Sequence, residues 1–396
     1  MTSYALSNCT LWAGDGSERI GHVVVSGDRI ATVGDGPYEG ELPVEDLGGD
    51  CLSPGLIDLM LCGAFGATFF HGDAPRLLSE YIKLGVTSCQ MCNGCQPWST
   101  IEKIAETIRS CQAKANDRAA TLLGAYWEGP FMHPDFVGAS LRESALPPTR
   151  ENVEKLLSIA EDITYMVNVS PGTESALEGI RALREAGVTV SMAHAASDAE
   201  SIEACLEAGT SVLGHVWNNN LGQLAEPGVQ APTIDHLGLT DDRVRFVHLI
   251  CDGTHVHPVI MKLVLRCKGT EGICIVTDAL LGAGEPDGDY PWDDGRTFTK
   301  SEGVHRTSEG QLAGSGLLLP DHLRNFSRVT GVPLHEAIRT VTLNPAVSLG
   351  LEKEIGLLAE GRKADLALWT DRLELRGVWE NGVRLNSISD MAEIKQ

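Results

Sequence analysis

VTVSMAH (188–194), AASDAESIEACLEAGTS (195–211) and VLGHVWNNN (212–220) read in succession as a short apolar strand, a helix and a second short apolar strand. Each strand ends on a histidine, His194 and His215. In a β-α-β unit the two parallel strands lie side by side, with their C-terminal ends on one edge of the sheet. Both histidines therefore face the same space, and imidazole is the commonest protein ligand for a transition metal. Two strand-end histidines hydrogen-bonded within a core is the competing reading, and the rest of the chain decides between them.

The same alternation extends outward on both sides. Apolar strand candidates are GLIDLML (55–61), VTSCQMC (86–92), TLLGAYWEG (121–129), ITYMVNV (163–169), VTVSMAH (188–194), SVLGHVW (211–217), VRFVHLI (244–250) and GICIVTD (272–278). Amphipathic helical stretches such as TIEKIAETIRSCQAK and TESALEGIRALREAG separate most of them. Eight strands with helical crossovers predict a (β/α)8 barrel. An open doubly wound sheet is the alternative, but no Gly-rich dinucleotide turn follows the first strand. The ends of the chain differ, with short strands and hairpin turns at Gly27-Asp28 and Asn381-Gly382, and predict one small sheet domain built from both. Residues 281–303, rich in Gly, Pro and Asp, predict a long loop or hairpin arm, a kind of segment that is usually functional.

Lys and Arg number 31 against 54 Asp and Glu, a net charge of −23. That excess of negative charge argues against nucleic acid or an anionic membrane as a partner. No apolar run reaches the length of about 18 residues that a membrane span needs. The N-terminal stretch lacks the charged-then-apolar form of a signal peptide, and the 11 cysteines read as reduced thiols of a cytoplasmic protein. Cys89, Cys92 and Cys95 have C-x2-C-x2-C spacing, but no fourth ligand follows at zinc-site spacing, so they read as buried or loop thiols.

Placed on the barrel, Glu128 ends strand three, His194 strand five, His215 strand six and Asp278 strand eight, while His255 follows strand seven. The C-terminal strand ends form the active face of such barrels, so these titratable groups share a rim. A carboxylate ending an apolar run must be paired, hydrogen-bonded or metal-bound. Glu128, His194 and His215 make a zinc set that leaves a position open for water, whose pKa the metal lowers to about 7. Asp278 is then the group that takes the proton of that water and passes it to the leaving group.

The segments SPGLIDLMLCGAFG, YWEGPF, VTVSMAH, LGHVWN, CDGTHV, IVTDA, GQLAGSGL, TLNPAVSLGL and GLLAEGRKADLALW resemble the amidohydrolase superfamily, and within it the N-acetylglucosamine-6-phosphate deacetylase branch, in order along nearly the whole chain. The resemblance implies a (β/α)8 TIM-type barrel over 53–354 and a small β-sandwich from 1–52 and 355–396. It implies a homodimer that hydrolyses the amide of an N-acetyl amino sugar or sugar phosphate, with one divalent metal ion (zinc) on Glu128, His194 and His215, and Asp278 as general acid and base. It further implies that Asn218, Asn219, His255 and the loop Leu312, Ala313, Gly314 and Ser315 contact the sugar.

Three departures from that family qualify the reading. Its H-x-H at the end of strand one is replaced by Met60 and Cys62, so a second metal lacks its usual ligands. Ser140 stands where the family has a histidine that polarises the acetyl carbonyl, with His133 nearby in sequence. The family's phosphate-binding arginine is missing from NNNLGQLAEPG, which leaves Arg142, Arg296 and Lys300 as candidate cations and predicts that phosphate adds under about tenfold to kcat/KM. His257 reads as a helix cap ahead of Pro258. A related amidohydrolase acting on another amide, lactone or cyclic imide, and a non-catalytic metal-binding homologue, are the alternative functions.

Overall fold

Eight apolar strands pair in parallel and in chain order: β1 (Leu56–Leu61), β2 (Val86–Asn93), β3 (Thr121–Trp127), β4 (Thr164–Asn168), β5 (Thr189–Met192), β6 (Val212–Leu213), β7 (Phe246–Ile250) and β8 (Ile273–Val276). The computed structural model in which they are seen describes residues 3–70, 72–114, 118–218, 220, 224–226, 229–292 and 295–385. The two ends of the sheet meet where Leu61 bridges in parallel to Ala279, whose carbonyl accepts from the Cys62 and Gly63 amides at 3.1 and 2.9 Å. Asp58, wholly buried in β1, buckles this seam by accepting from Thr277 Oγ1 at 2.6 Å and Tyr81 Oη at 2.7 Å. Without such donors a carboxyl at this depth would cost several kcal/mol.

A helix follows each strand: α1 (Ala74–Tyr81), α2 (Trp98–Ala113), α3 (Arg150–Ala160), α4 (Ala176–Glu185), α5 (Ala199–Ala208), α6 (Ile234–Thr240), α7 (Pro258–Lys268) and α8 (Leu319–Thr330). Local chemistry sets their ends. The Asp198 side chain caps α5 by accepting from the Ser201 amide at 2.7 Å, and Gly209 closes it in a left-handed conformation at φ 116°. Period-two alternation divides the strand residues between two layers. Met91, Trp127, Val167 and Val190 pack outward against helix residues such as Ile104, Leu156 and Ile180, while Leu59, Tyr126, Met166 and Phe246 fill the barrel.

Both ends of the chain share one further sheet. Ser3–Trp12 pairs antiparallel with Glu18–Ser26, which continues to Arg29–Asp35. On its other side Ser3–Trp12 runs parallel to Cys51–Pro54, which pairs with Leu366–Trp369 and so leads to Leu375–Glu380 and Val383–Arg384. Leu6, Leu11, Val23, Leu52, Leu366 and Trp379 make its own core. Both expected hairpins are present, with Ser26 opposite Arg29 and Glu380 opposite Val383.

The segment after β8 is more regular than a loop. Gly288–Pro291, Thr297–Ser301, Val304–Thr307 and Leu312–Ser315 form a four-stranded antiparallel arm. It rests on the C-terminal mouth of the barrel, because Ser315 bridges to Ala279 and Phe298 packs with the barrel interior.

Candidate active site

The predicted strands of 188–194, 211–217 and 272–278 are longer than those observed, which end at Met192, Leu213 and Val276. For two of them the backbone explains this: His194 and Asp278, two residues past Met192 and Val276, have φ of +56° and +50°, a left-handed conformation that cannot continue a ladder. Trp217, at +60°, lies in the turn that follows His215. Such residues cost of order 1–3 kcal/mol each and persist where the surroundings over-determine them. Here the turn swings three strand ends inward. Glu128, His194, His215, His255 and Asp278 all line one cleft of about 780 Å³ at the mouth of the barrel.

At its base Glu128 Oε1 lies 3.0 Å from His194 Nε2 and 2.6 Å from His215 Nε2, and the two nitrogens are 2.9 Å apart. The carbonyl of Phe136, 2.6 Å from His194 Nδ1, takes the hydrogen of that nitrogen, so Nε2 carries a lone pair toward the other two atoms. Among the described residues this is the only group of three His, Cys, Asp or Glu side chains whose ligand atoms all lie within 4.8 Å of one another. Converging lone pairs with 7% or less of each residue exposed call for a cation between them, and this donor set suits zinc. Without a cation the three groups act on one another. Burial alone would raise the Glu128 carboxyl, but hydrogen bonds and charge from His194 and His215 hold it well below the usual range. Burial likewise works against charge on His215, and Glu128 outweighs it, raising that ring.

Outer contacts fix the ligands. Asn220 Oδ1 accepts from the His194 amide at 3.0 Å, and its Nδ2 donates to Asp235 Oδ1 at 3.1 Å. Asp235 also accepts from the Trp217 amide at 2.8 Å, so α6 ties the turns after β5 and β6 together. Asp278 stands beside the cup. Burial, then the charge of Glu128, pushes its carboxyl up to about 7 against the opposing pull of His215, His255 and a Cys62 thiol 3.8 Å away. For Cys62, a hydrogen bond with Cys92 works downward, yet burial and the nearby carboxylates push the thiol up to about 11. It is a neutral thiol, and Met60 is fully buried.

Ser140, Asn218, Leu312, Ala313 and Gly314 line the cleft with the ligands. Ser140 is packed so closely on Gly94 that a Cβ there would fall 1.8 Å from its Oγ, which explains the glycine. Asn219 lies outside the described residues. Ser315 is not among the lining residues; its amide donates to the Asp278 carbonyl at 3.0 Å, so it holds the turn at Asp278. His133 sits in the loop after β3, its Nδ1 accepting from the Asp135 amide, and His257 caps α7 through Val259. Cys89 packs in the outer layer and Cys92 inside the barrel, so the C-x2-C spacing does not gather thiols.

Of the three candidate cations, only Arg296 lines the cleft, with Nη1 donating to the Ala139 carbonyl at 2.7 Å. Arg142 pairs with Asp135 on the surface, and Lys300 is buried with its ammonium on the Glu285 carbonyl. The sequence reading missed Asn220 and Asp235. The third asparagine of the 218–220 run was a visible clue to the first; a distant aspartate on a helix gave none.

The comparisons agree with this geometry. The chain is 33% identical over 337 residues to an N-acetylgalactosamine-6-phosphate deacetylase of Escherichia coli O157:H7, covering 82% of this chain and 87% of that one. It is 30% identical to an N-acetylglucosamine-6-phosphate deacetylase of Vibrio furnissii, with 87% and 86% covered. Among solved structures, the N-acetyl-D-glucosamine-6-phosphate deacetylase of Mycobacterium smegmatis, a mutant in complex with N-acetyl-D-glucosamine-6-phosphate, superimposes with a TM-score of 0.86 at 25% identity, over 97% of this chain and 98% of that one. The corresponding enzyme of Thermotoga maritima gives 0.85 at 26% identity, over 97% and 99%. The family model for amidohydrolases matches residues 52–393, and with the metal-ligand cup at the mouth of its barrel this chain belongs to the amidohydrolase family.

Proposed function

We propose that the chain deacetylates an N-acetyl amino sugar bearing an anionic substituent, the 6-phosphate of its relatives' names, with one bound zinc ion. The observation that carries this is the convergence of Glu128, His194 and His215 beside the buried Asp278 carboxyl in one cleft. Glu128, His194 and His215 would hold a divalent cation, which would supply Lewis acidity toward the attacking water and the amide carbonyl. Asp278 takes the proton of the attacking water on its carboxylate and returns it to the amide nitrogen as the C–N bond breaks. Ser140, on the cleft wall, offers its hydroxyl to the acetyl oxygen where the family has a histidine. Arg296 supplies charge for the anionic group.

The chain acts in the cytoplasm as a homodimer. In support of a reducing compartment, all 11 cysteines are free. No described helix is long and apolar enough to cross a membrane. The test is acetate release from N-acetylglucosamine-6-phosphate and N-acetylgalactosamine-6-phosphate by zinc-loaded and chelator-treated protein. Release only from the loaded protein supports the reading, and release from neither sugar with zinc bound overturns it. Light scattering on the eluting protein reads the oligomer.

A further inference from the structure

The loop after β7 holds a buried carboxylate partner for a cleft histidine. His255 Nδ1 lies 2.6 Å from Asp252 Oδ2, with the two side chains only 4% and 1% exposed. Asp252 Oδ1 accepts from the amides of Thr254 and His255 at 2.9 and 2.8 Å. Burial would raise this carboxyl, but the His255 bond, the neighbouring His255 and His322 rings and the Thr254 amide keep it well below the usual range. An ionised carboxylate can only accept, so His255 Nδ1 carries the hydrogen. The other ring nitrogen, Nε2, is on the opposite edge, and it is this ring that lines the cleft.

A dry carboxylate fixed against an imidazole stabilises a second proton on the ring. The titratable and charged groups that a proton on this ring would face are Asp278, His305, His322 and Arg296. Asp278 is acidic, while burial pushes His305 and His322 down to about 4, so both are neutral at physiological pH. Arg296 shares the cleft and opposes it.

We propose that Asp252 is a positioning residue: it pins the His255 ring with Nε2 toward the cleft and lets that ring take up a proton when an anionic substituent of the substrate binds there. The inference rests on the deacetylase reading above for its substrate, not for its geometry. Asp252→Asn keeps an acceptor for the loop amides but presents an NH2 group or a neutral oxygen to the ring and removes the charge. The ratio of kcat/KM for the 6-phosphate to that for the unphosphorylated N-acetyl sugar should fall by about tenfold or more. A purely structural aspartate would lower both values together and leave the ratio unchanged, which would overturn the proposal. In a His255→Gln background the same substitution should change the ratio no further.

If Asp252→Asn does not fold, imidazole 1H–15N spectra of the unaltered, zinc-loaded protein decide the matter. The His255 signals, assigned by their loss in His255→Gln, should show both nitrogens protonated on addition of inorganic phosphate at pH 7.5. A ring that stays neutral with phosphate bound would refute the pair. Absence of acetate release from any amino sugar would instead remove the deacetylase reading, and the spectra would still judge Asp252.

Discussion

Glu128 Oε1 and His215 Nε2 stand 2.6 Å apart although their strands, β3 and β6, are separated in the barrel by β4 and β5. A cation on these side chains ties non-adjacent strand ends across the mouth. Metal binding is therefore folding free energy, worth about 4 kcal/mol at a thousandfold excess over Kd. Chelation should lower the Tm, zinc should restore it, and Glu128→Ala should abolish the response. Elemental analysis should find close to one ion per chain; two tightly held ions would bring Cys62 into the ligand set.

Asp278→Asn retains the shape of the side chain but cannot take a proton. Turnover should fall by at least about 10²-fold while zinc content is unchanged. Wild-type turnover in this variant would rule out Asp278 as the proton carrier.

Three histidines tie stability to pH. Burial pushes His248 down to about 3, and His305 and His322 to about 4. The His322 Nδ1 accepts from the Cys251 amide at 3.0 Å, which a protonated ring cannot do. A histidine depressed in the fold contributes stability in full above its unfolded pKa near 6.5 and loses it as pH falls toward the folded value. Between pH 7 and 5 each ring should cost on the order of 1–2 kcal/mol. Denaturant melts across that range should show unfolding coupled to net proton uptake, with a weaker slope in His248→Gln. A Tm that is flat from pH 7 to 5 would contradict this.

Arg296 is the residue at which phosphate recognition is tested. With the arginine of the family missing, the chain alone led to a phosphate advantage under about tenfold; the guanidinium and the His255–Asp252 pair in the cleft now raise the expectation above tenfold. Arg296→Ala should erase most of that advantage in matched kinetics on phosphorylated and free sugars. Arg142→Ala, at a surface ion pair, should leave the ratio unaltered.

The barrel was legible because periodicity is local: eight apolar runs, separated by amphipathic stretches, leave few ways to bury their surfaces. Glu128, His194, His215 and Asp278 were legible for a related reason, since a polar residue ending an apolar strand has a predictable position once the barrel is assumed. The contacts that orient them were not. Asp235 reaches the turns after β5 and β6 from α6, and nothing in its neighbours' spacing announces that reach. Ser315 matched a family motif yet serves Asp278 through its backbone, while its hydroxyl accepts from the Leu317 amide at 3.1 Å. Ranking Arg296 above Lys300 required knowing which face of the arm looks inward.

The arm also divides one pocket between two structural units. Every proposed metal ligand and Asp278 belongs to a barrel strand end, whereas Arg296, Trp292 and Leu312 to Gly314 arrive on an inserted sheet that meets the barrel at Ala279 and reaches the opposite wall at Ala139. Substitutions at Trp292 or Arg296 would reshape the cleft wall at a distance from the Asp278 turn, whereas Gly314 and Ser315 bear directly on it.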